Sequence, residues 1–469
     1  MSVDQIRTTG AGRAGAEADS RLQIRPGRWV DGWDPEDKDF WETAGRPIAR
    51  TNLNWSIFCE FLGFVVWQLW SIMAVQLPAA GFDFTNSQIF WLISIPSLVG
   101  ATLRIPYTFM VPKFGGRNWT VISALLLLVP SIGLAACVAN PETPFGLMLL
   151  MAGLAGLGGG NFASSMANIT YFYPAAEKGY ALGLNAAGGN LGAAVAQLVV
   201  PLVITLGAAV SLNLPLGGLI WVPLILLAAW GARKYMHNLS HAKGDAAGSV
   251  AALREPHLWI MALLYIGTFG SFIGFSGVFP KLIHDVFPGF SSFAVGSAAL
   301  SLAFLGPLVG SLARPLGGKL ADRFGGARMT VASFATMALI ALAVVWTLPL
   351  ANFWLFLLLF LALFTASGFG NGATYRMIPR IFAIRGRTGT TRSSVDVGSE
   401  RKAAAALGLV SAIGAYGGFL IPQVLNASNT ATGSYTGAFY GFVAAYAVML
   451  AVAWFCYLRP GSEMARGGV

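Results

Sequence analysis

Residues 94–121 read SIPSLVGATLRIPYTFMVPKFGGRNWTV, and residues 299–331 read ALSLAFLGPLVGSLARPLGGKLADRFGGARMTV. Laid over each other at an offset of 210, they pair Arg104 with Arg314, Phe114 with Phe324, Gly115 with Gly325, Gly116 with Gly326, Thr120 with Thr330 and Val121 with Val331. Each arginine lies within an apolar stretch and has no evident carboxylate partner. A guanidinium does not shed its proton, and holding one in hydrocarbon costs roughly 2.5–3.5 kcal/mol on insertion scales. A single such arginine could snorkel to the interface. Two of them, at equivalent positions of an internal repeat, point instead to a site that holds an anion.

The rest of the chain sets this pair in a membrane. Of 469 residues, 55% are hydrophobic, 11% are charged and 57 are glycine, whereas a soluble chain carries roughly 25% charged residues. Apolar runs of about 20 residues are long enough to cross a bilayer. The net charge of +10 is no sign of nucleic-acid binding, because the basic residues lie between the runs, where they set topology and meet lipid headgroups. Cys59, Cys137 and Cys456 all fall in apolar runs, with neither metal-ligand spacing nor a disulfide pattern. The first ~50 residues are polar and contain no short apolar core with a cleavage site, so no cleavable secretory signal is expected.

Apolar runs bounded by charges, Gly/Pro or Asn clusters predict twelve spans, near 53–77, 88–112, 119–139, 145–173, 180–207, 217–235, 257–280, 293–317, 328–350, 353–382, 402–425 and 435–458. The division is a tail over 1–52, a six-helix half over 53–235, a linker over 236–256, a second half over 257–458 and a tail over 459–469. Lys113, Arg117, Lys178, the 233–254 loop, the stretch Lys319 to Arg328, the 385–402 loop, Arg459 and Arg466 fall on one side, against Lys281 on the other. The positive-inside rule therefore places both termini in the cytoplasm.

The repeat runs on past the arginines. Gly158, Gly160, Asn161 and Ala163 pair with Gly368, Gly370, Asn371 and Ala373 at the same offset. ALGLNAAGGNLGA (181–193) matches ALGLVSAIGAYGG (406–418) after 15 extra residues in the basic loop RGRTGTTRSSVDVGSE (385–400), where an insertion costs least. Two parallel six-helix halves related about the membrane normal are the major facilitator plan, an all-α membrane fold. The glycines of the two runs, Gly188, Gly189 and Gly192 in the first and Gly414, Gly417 and Gly418 in the second, let helices pack closely and slide during alternating access. GGKLADRFGGAR (317–328) fits the major facilitator loop pattern G-x-x-A-D-R-x-G-R/K, with Asp322 and Arg323 poised for pairing at a cytoplasmic gate. In the first half Pro112 stands where Asp322 stands in the second.

AGGNLG (187–192) resembles the nitrate signature of the nitrate/nitrite porter family, with SAIGAYGGFLIP (411–422) as its counterpart. GNFASSMANI (160–169), TLRIPYTFMVP (102–112), HLWIMALLYIGTFGSFIGFS (257–276) and DPEDKDFWETAGRPIARTNL (34–53) are also similar to the NarK/NarU-type exchangers of that family. The resemblance runs from about Trp33 to the last span. It implies an anion clamped by Arg104 and Arg314, walled by Phe162, Tyr265 and Phe269, and receiving a hydrogen bond from Asn190. The chemistry agrees: a guanidinium offers planar paired donors to a flat oxyanion, and aromatic rings can sandwich it.

The implied activity is exchange of nitrate for nitrite across a bacterial inner membrane, by a carrier expected to be monomeric, without cofactor, metal or nucleic acid. Nitrate–proton symport is the alternative, because Glu60 in span one is the clearest acidic residue inside any span. We read Glu60 as an interfacial carboxylate, ahead of a buried partner for a basic group or a proton site. The scarcity of intramembrane Asp, Glu and His argues against a dedicated proton relay. Arg376 and Arg380, ending span ten, read as gate or headgroup contacts. A signalling receptor is disfavoured because no signalling domain follows the last span. No nucleophile–base constellation, metal-ligand set or cofactor loop supports an enzyme.

Overall fold

In the computed structural model, which describes residues 22–206, 212–242, 252–385 and 397–469, helices, mostly apolar, account for most of the described residues. Eleven are long and apolar enough to cross a membrane: α1 (Lys38–Gln76), α2 (Asn86–Phe114), α3 (Gly116–Val138), α4 (Phe145–Phe172), α5 (Ala175–Thr205), α6 (Leu216–Tyr235), α7 (Pro256–Val286), α9 (Gly326–Leu350), α10 (Phe353–Arg385), α11 (Ala405–Thr432) and α12 (Thr436–Leu458). The twelfth, α8 (Leu305–Phe324), is shorter and carries Arg314, Lys319, Asp322 and Arg323. Backbone polar groups inside a bilayer need internal partners, which is why apolar spans fold as helices.

Two boundaries differ from the sequence reading by more than ten residues. The first helix begins at Lys38 rather than near 53, because Asp37 caps it and its polar first turns pack on the protein's own surface. The eighth span does not begin at 293. Residues 293–300 form a hairpin, β4 (Phe293–Val295) on β5 (Ala298–Leu300), and the helix starts at Leu305. Arg314 consequently stands halfway along its helix rather than near its end.

The repeat is visible in the turns. Gly115 and Gly325, paired at offset 210, separate α2 from α3 and α8 from α9 with φ of 87° and 95°, a region that favours glycine. Each amide donates back to the preceding helix, at Val111 and Ala321. At that same end the N-terminal strands β1 (Gln23–Arg25) and β2 (Trp29–Asp31) pair with β3 (Asn238–Leu239), just past α6. The C-terminal residues dock nearby on the second half, with Arg380 donating to the Gly467 carbonyl. The N-terminal strands and the C-terminal tail thus share the end where the basic turns lie.

The halves meet along α2 and α11, where Asn426 donates to Ser87 (3.0 Å), Gln423 to Ser94 (2.7 Å), and the Thr102 and Tyr416 hydroxyls pair at 2.9 Å. Elsewhere Gln197 of α5 donates to the Ser276 carbonyl of α7. A cleft of about 430 Å³, lined by Gln76, Gln197, Pro280 and His284, opens between the halves at the end away from the basic turns.

Candidate functional site

Glycine shapes the ground on which Arg104 stands. A Cβ at Gly156 would lie 2.7 Å from the Gly100 amide, and one at Gly159 would strike the Trp67 indole at 2.7 Å. Their absence lets α2 and α4 close on each other. Arg104 Nε then reaches the Gly159 carbonyl (3.2 Å), while the Trp67 indole donates to the Pro96 carbonyl (2.8 Å) and lies 5.5 Å from the guanidinium. Arg104 Nη1 crosses to the other half, donating to the carbonyl (2.9 Å) and hydroxyl (2.8 Å) of Ser411 on α11.

Arg314 approaches from α8. Its Nη2 donates to the Tyr265 hydroxyl at 3.4 Å, and its guanidinium lies 5.7 Å from the Tyr375 ring. Both arginines meet at one aromatic side chain: the Phe162 ring centre is 4.5 Å from the Arg104 guanidinium and 5.6 Å from that of Arg314. Phe162 stacks on Phe269 at 6.1 Å, and Phe269 on Tyr265 at 5.4 Å. Phe269 lies in a π-helical turn, Ile266–Gly270, directly after Tyr265. Such turns recur at functional sites.

The structure thus brings together Arg104, Arg314, Phe162, Tyr265 and Phe269, all buried. Asn190 is buried on α5, and neither atom of its amide has a hydrogen-bond partner among the described residues. Arg104 Nη2 and Arg314 Nη1 are likewise without partners. Buried donors left unmet are rare and call for a ligand or ordered water.

The glycine runs lie where helices touch. On α5, Gly188 faces Ile57, Gly189 faces Glu60 and Gly192 faces the Phe61 carbonyl, all on α1. On α11, Gly414 faces Tyr265, Gly417 faces Gly270, and Gly418 faces Ser97 of α2. Asp322 accepts a hydrogen bond from Arg376 (2.5 Å), tying α8 to α10 within one half, whereas Arg323 lies over the Phe324 ring. The basic loop at 386–396 and part of the linker lie outside the described residues.

Glu60 corrects the sequence reading. It is 1% exposed and not interfacial, because α1 is covered by α4 and α5 at that level. Asn185 donates to its Oε2 (2.8 Å) and to the Ser165 hydroxyl (2.6 Å), which pairs with Ser56 (2.9 Å). Sequence reasoning also passed over Ser411, Trp67 and Tyr375. Ser411 stood inside a quoted motif, while the two aromatics gave no signal beyond their apolar surroundings.

Two pseudo-equivalent halves of apolar helices, with a buried pair of arginines between them, are the architecture of a membrane transporter. A family model of the Major Facilitator Superfamily matches residues 56–422, and the chain belongs to that family. It is 44% identical to the nitrate/nitrite transporter NarU of Salmonella typhimurium, over 91% of this chain and 96% of the relative. It is 37% identical to the probable nitrate/nitrite antiporter NarK2 of Thermus thermophilus, covering 94% and 99%. Among solved structures it resembles nucleoside transporter NupG with a TM-score of 0.59 at 12% identity, covering 86% of this chain and 99% of that one. This last likeness concerns the fold alone.

Proposed function

We propose that the chain exchanges nitrate for nitrite across the bacterial inner membrane, with both termini in the cytoplasm, by rocking its halves around one anion held by Arg104 and Arg314. The observation that carries this reading is the pair of unmet guanidinium nitrogens, Arg104 Nη2 and Arg314 Nη1, in a buried aromatic pocket. Nitrate and nitrite are flat delocalised anions. They suit donors fixed in a plane and rings that shut out water. The relatives named for nitrate and nitrite transport support the same choice of substrate.

Exchange follows from charge. Without an anion, neither guanidinium is hydrogen-bonded to a carboxylate among the described residues, and Glu60 is bonded to Asn185 instead. Repulsion between buried like charges is large at low effective dielectric, so closure is favoured around a bound anion. The Ser411 contact ties Arg104 to the opposite half, so loading and rocking involve the same side chain. In proteoliposomes held at one pH on both sides, internal nitrite should accelerate nitrate uptake by at least about tenfold, given a charge penalty of about 1.4 kcal/mol or more. Equal uptake with and without internal anion would sink exchange.

A further inference from the structure

Glu60 is an ionisable residue deep in a membrane helix, and such residues mark function by default. Its Oε1 has no hydrogen-bond partner among the described residues, while Oε2 accepts from Asn185, and the Ser165 hydroxyl also acts on the carboxyl. On the α5 side Oε1 abuts Gly189, where a Cβ would come within 2.3 Å, so any larger residue there would crowd that oxygen. Asn185 has an unused Oδ1 beside its donating Nδ2. Its amide can therefore donate to a carboxylate or, turned over, accept from a carboxylic acid.

The charges that face this carboxyl come from Arg104 on α2 and Arg314 on α8, and both act on it electrostatically. Tyr375 on α10 is the other titratable group coupled to it, and Cys59 beside it turns away toward the Ala228 carbonyl of α6. Its neighbours on α4 and α5 are Ser165, Asn185 and Gly189, none of which carries charge. Physical contact also joins the two places: Phe64, one turn past Glu60 on α1, packs edge-on against Phe162 at 6.3 Å.

We propose that Glu60 is a proton-binding site linked to the anion site, so that an anion bound at Arg104 and Arg314 draws a proton onto the Glu60 carboxylate. The inference rests on the anion reading above. Its sign follows from electrostatics: a negative charge arriving near a carboxylate favours the protonated acid. By reciprocity the protonated acid strengthens anion binding, because it no longer competes for the arginines. The step is a simple protonation, in which carboxylate and proton become carboxylic acid, with the proton on Oε1, the oxygen that lacks a hydrogen-bond partner among the described residues. Anion affinity then falls as pH rises through the titration of the linked carboxyl.

The test is calorimetric titration of the purified full-length protein with sodium nitrate, in paired buffers of different ionisation enthalpy, from about pH 5 to pH 9. Wild type should take up protons on binding, and its affinity should fall by up to about tenfold per pH unit over part of that range. Glu60→Gln should give no proton uptake and an affinity that does not change with pH. Nitrate binding in wild type without proton uptake anywhere in the range would overturn Glu60's role and leave the anion site standing. So would a Glu60→Gln protein that keeps the wild-type slope. Absence of nitrate and nitrite binding at every pH would instead remove the anion reading and this linkage with it. The wild-type arm needs no variant, so misfolding of Glu60→Gln cannot shield the proposal.

Discussion

At the scale of single residues, the two arginines were legible because a charge in hydrocarbon is costly and this chain incurs the cost twice in register. Their partners were not. Ser411 lies 307 positions from Arg104, and nothing in its neighbourhood says that a guanidinium from the other half will donate to it. Glu60 was misread because α1 shows no carboxylate-burying pattern in sequence; its burial comes from α4 and α5 closing over it. The Tyr265 hydroxyl accepts from Arg314 Nη2 at 3.4 Å, so Tyr265→Phe removes the bond that orients this guanidinium and keeps the ring stack. Nitrate affinity in a binding titration should weaken by roughly three- to tenfold, the worth of one hydrogen bond of about 1 kcal/mol. An unchanged affinity would reduce Tyr265 to a packing residue.

At the scale of helices, the glycine runs announced close packing, and the structure adds which partners they meet. A Cβ at Gly417 would lie 2.4 Å from the Gly270 Cα, whereas a Cβ at Gly183 would meet nothing within 4 Å. Gly417→Leu should therefore lower the thermal midpoint by several degrees, as overpacking costs about 1–3 kcal/mol, and should block transport. Gly183→Ala should leave both unchanged. Equal behaviour of the two variants would remove the packing argument. The N-terminal strands make a second element-scale case, which sequence did not reveal because the segments that pair are some 210 residues apart. Arg28 donates to the Tyr235 and Met236 carbonyls and lies 2.7 Å from His237 Nε2, and His237's amide donates to Asn52. Burial first, then the charges of Arg28 and Arg117, push the His237 imidazole from its usual 6.5 down to about 4. A histidine held neutral in the fold contributes stability that is complete above about pH 6.5 and is lost as pH falls through about 4. Amide hydrogen exchange at residues 29–31 and 238–240, corrected for intrinsic rates, should accelerate across that window. Constant protection from pH 7 to about pH 4 would contradict the neutral, buried imidazole.

At the scale of the molecule, the twelve-helix plan could be read from hydropathy and the offset of 210, because both follow from the need to satisfy backbone groups in lipid. The start of α8 could not, since the apolar hairpin at 293–300 looks like helix by composition alone. That error hid the central placement of Arg314. With the helix correctly bounded, the two arginines reach one aromatic ring, and the halves are joined through Arg104 and Ser411. In the proposed function the whole molecule turns on an anion held by two planar forks. The measurement that tests this most directly is nitrate–nitrite counterflow in proteoliposomes containing Arg104→Lys or Arg314→Lys protein, with insertion and thermal unfolding checked alongside. Lysine keeps the charge and loses the fork. Counterflow should fall by at least about 100-fold in either variant, the loss of two charge-assisted bonds of about 1.5–3 kcal/mol each. Exchange at the wild-type rate in a folded Arg→Lys protein would contradict it.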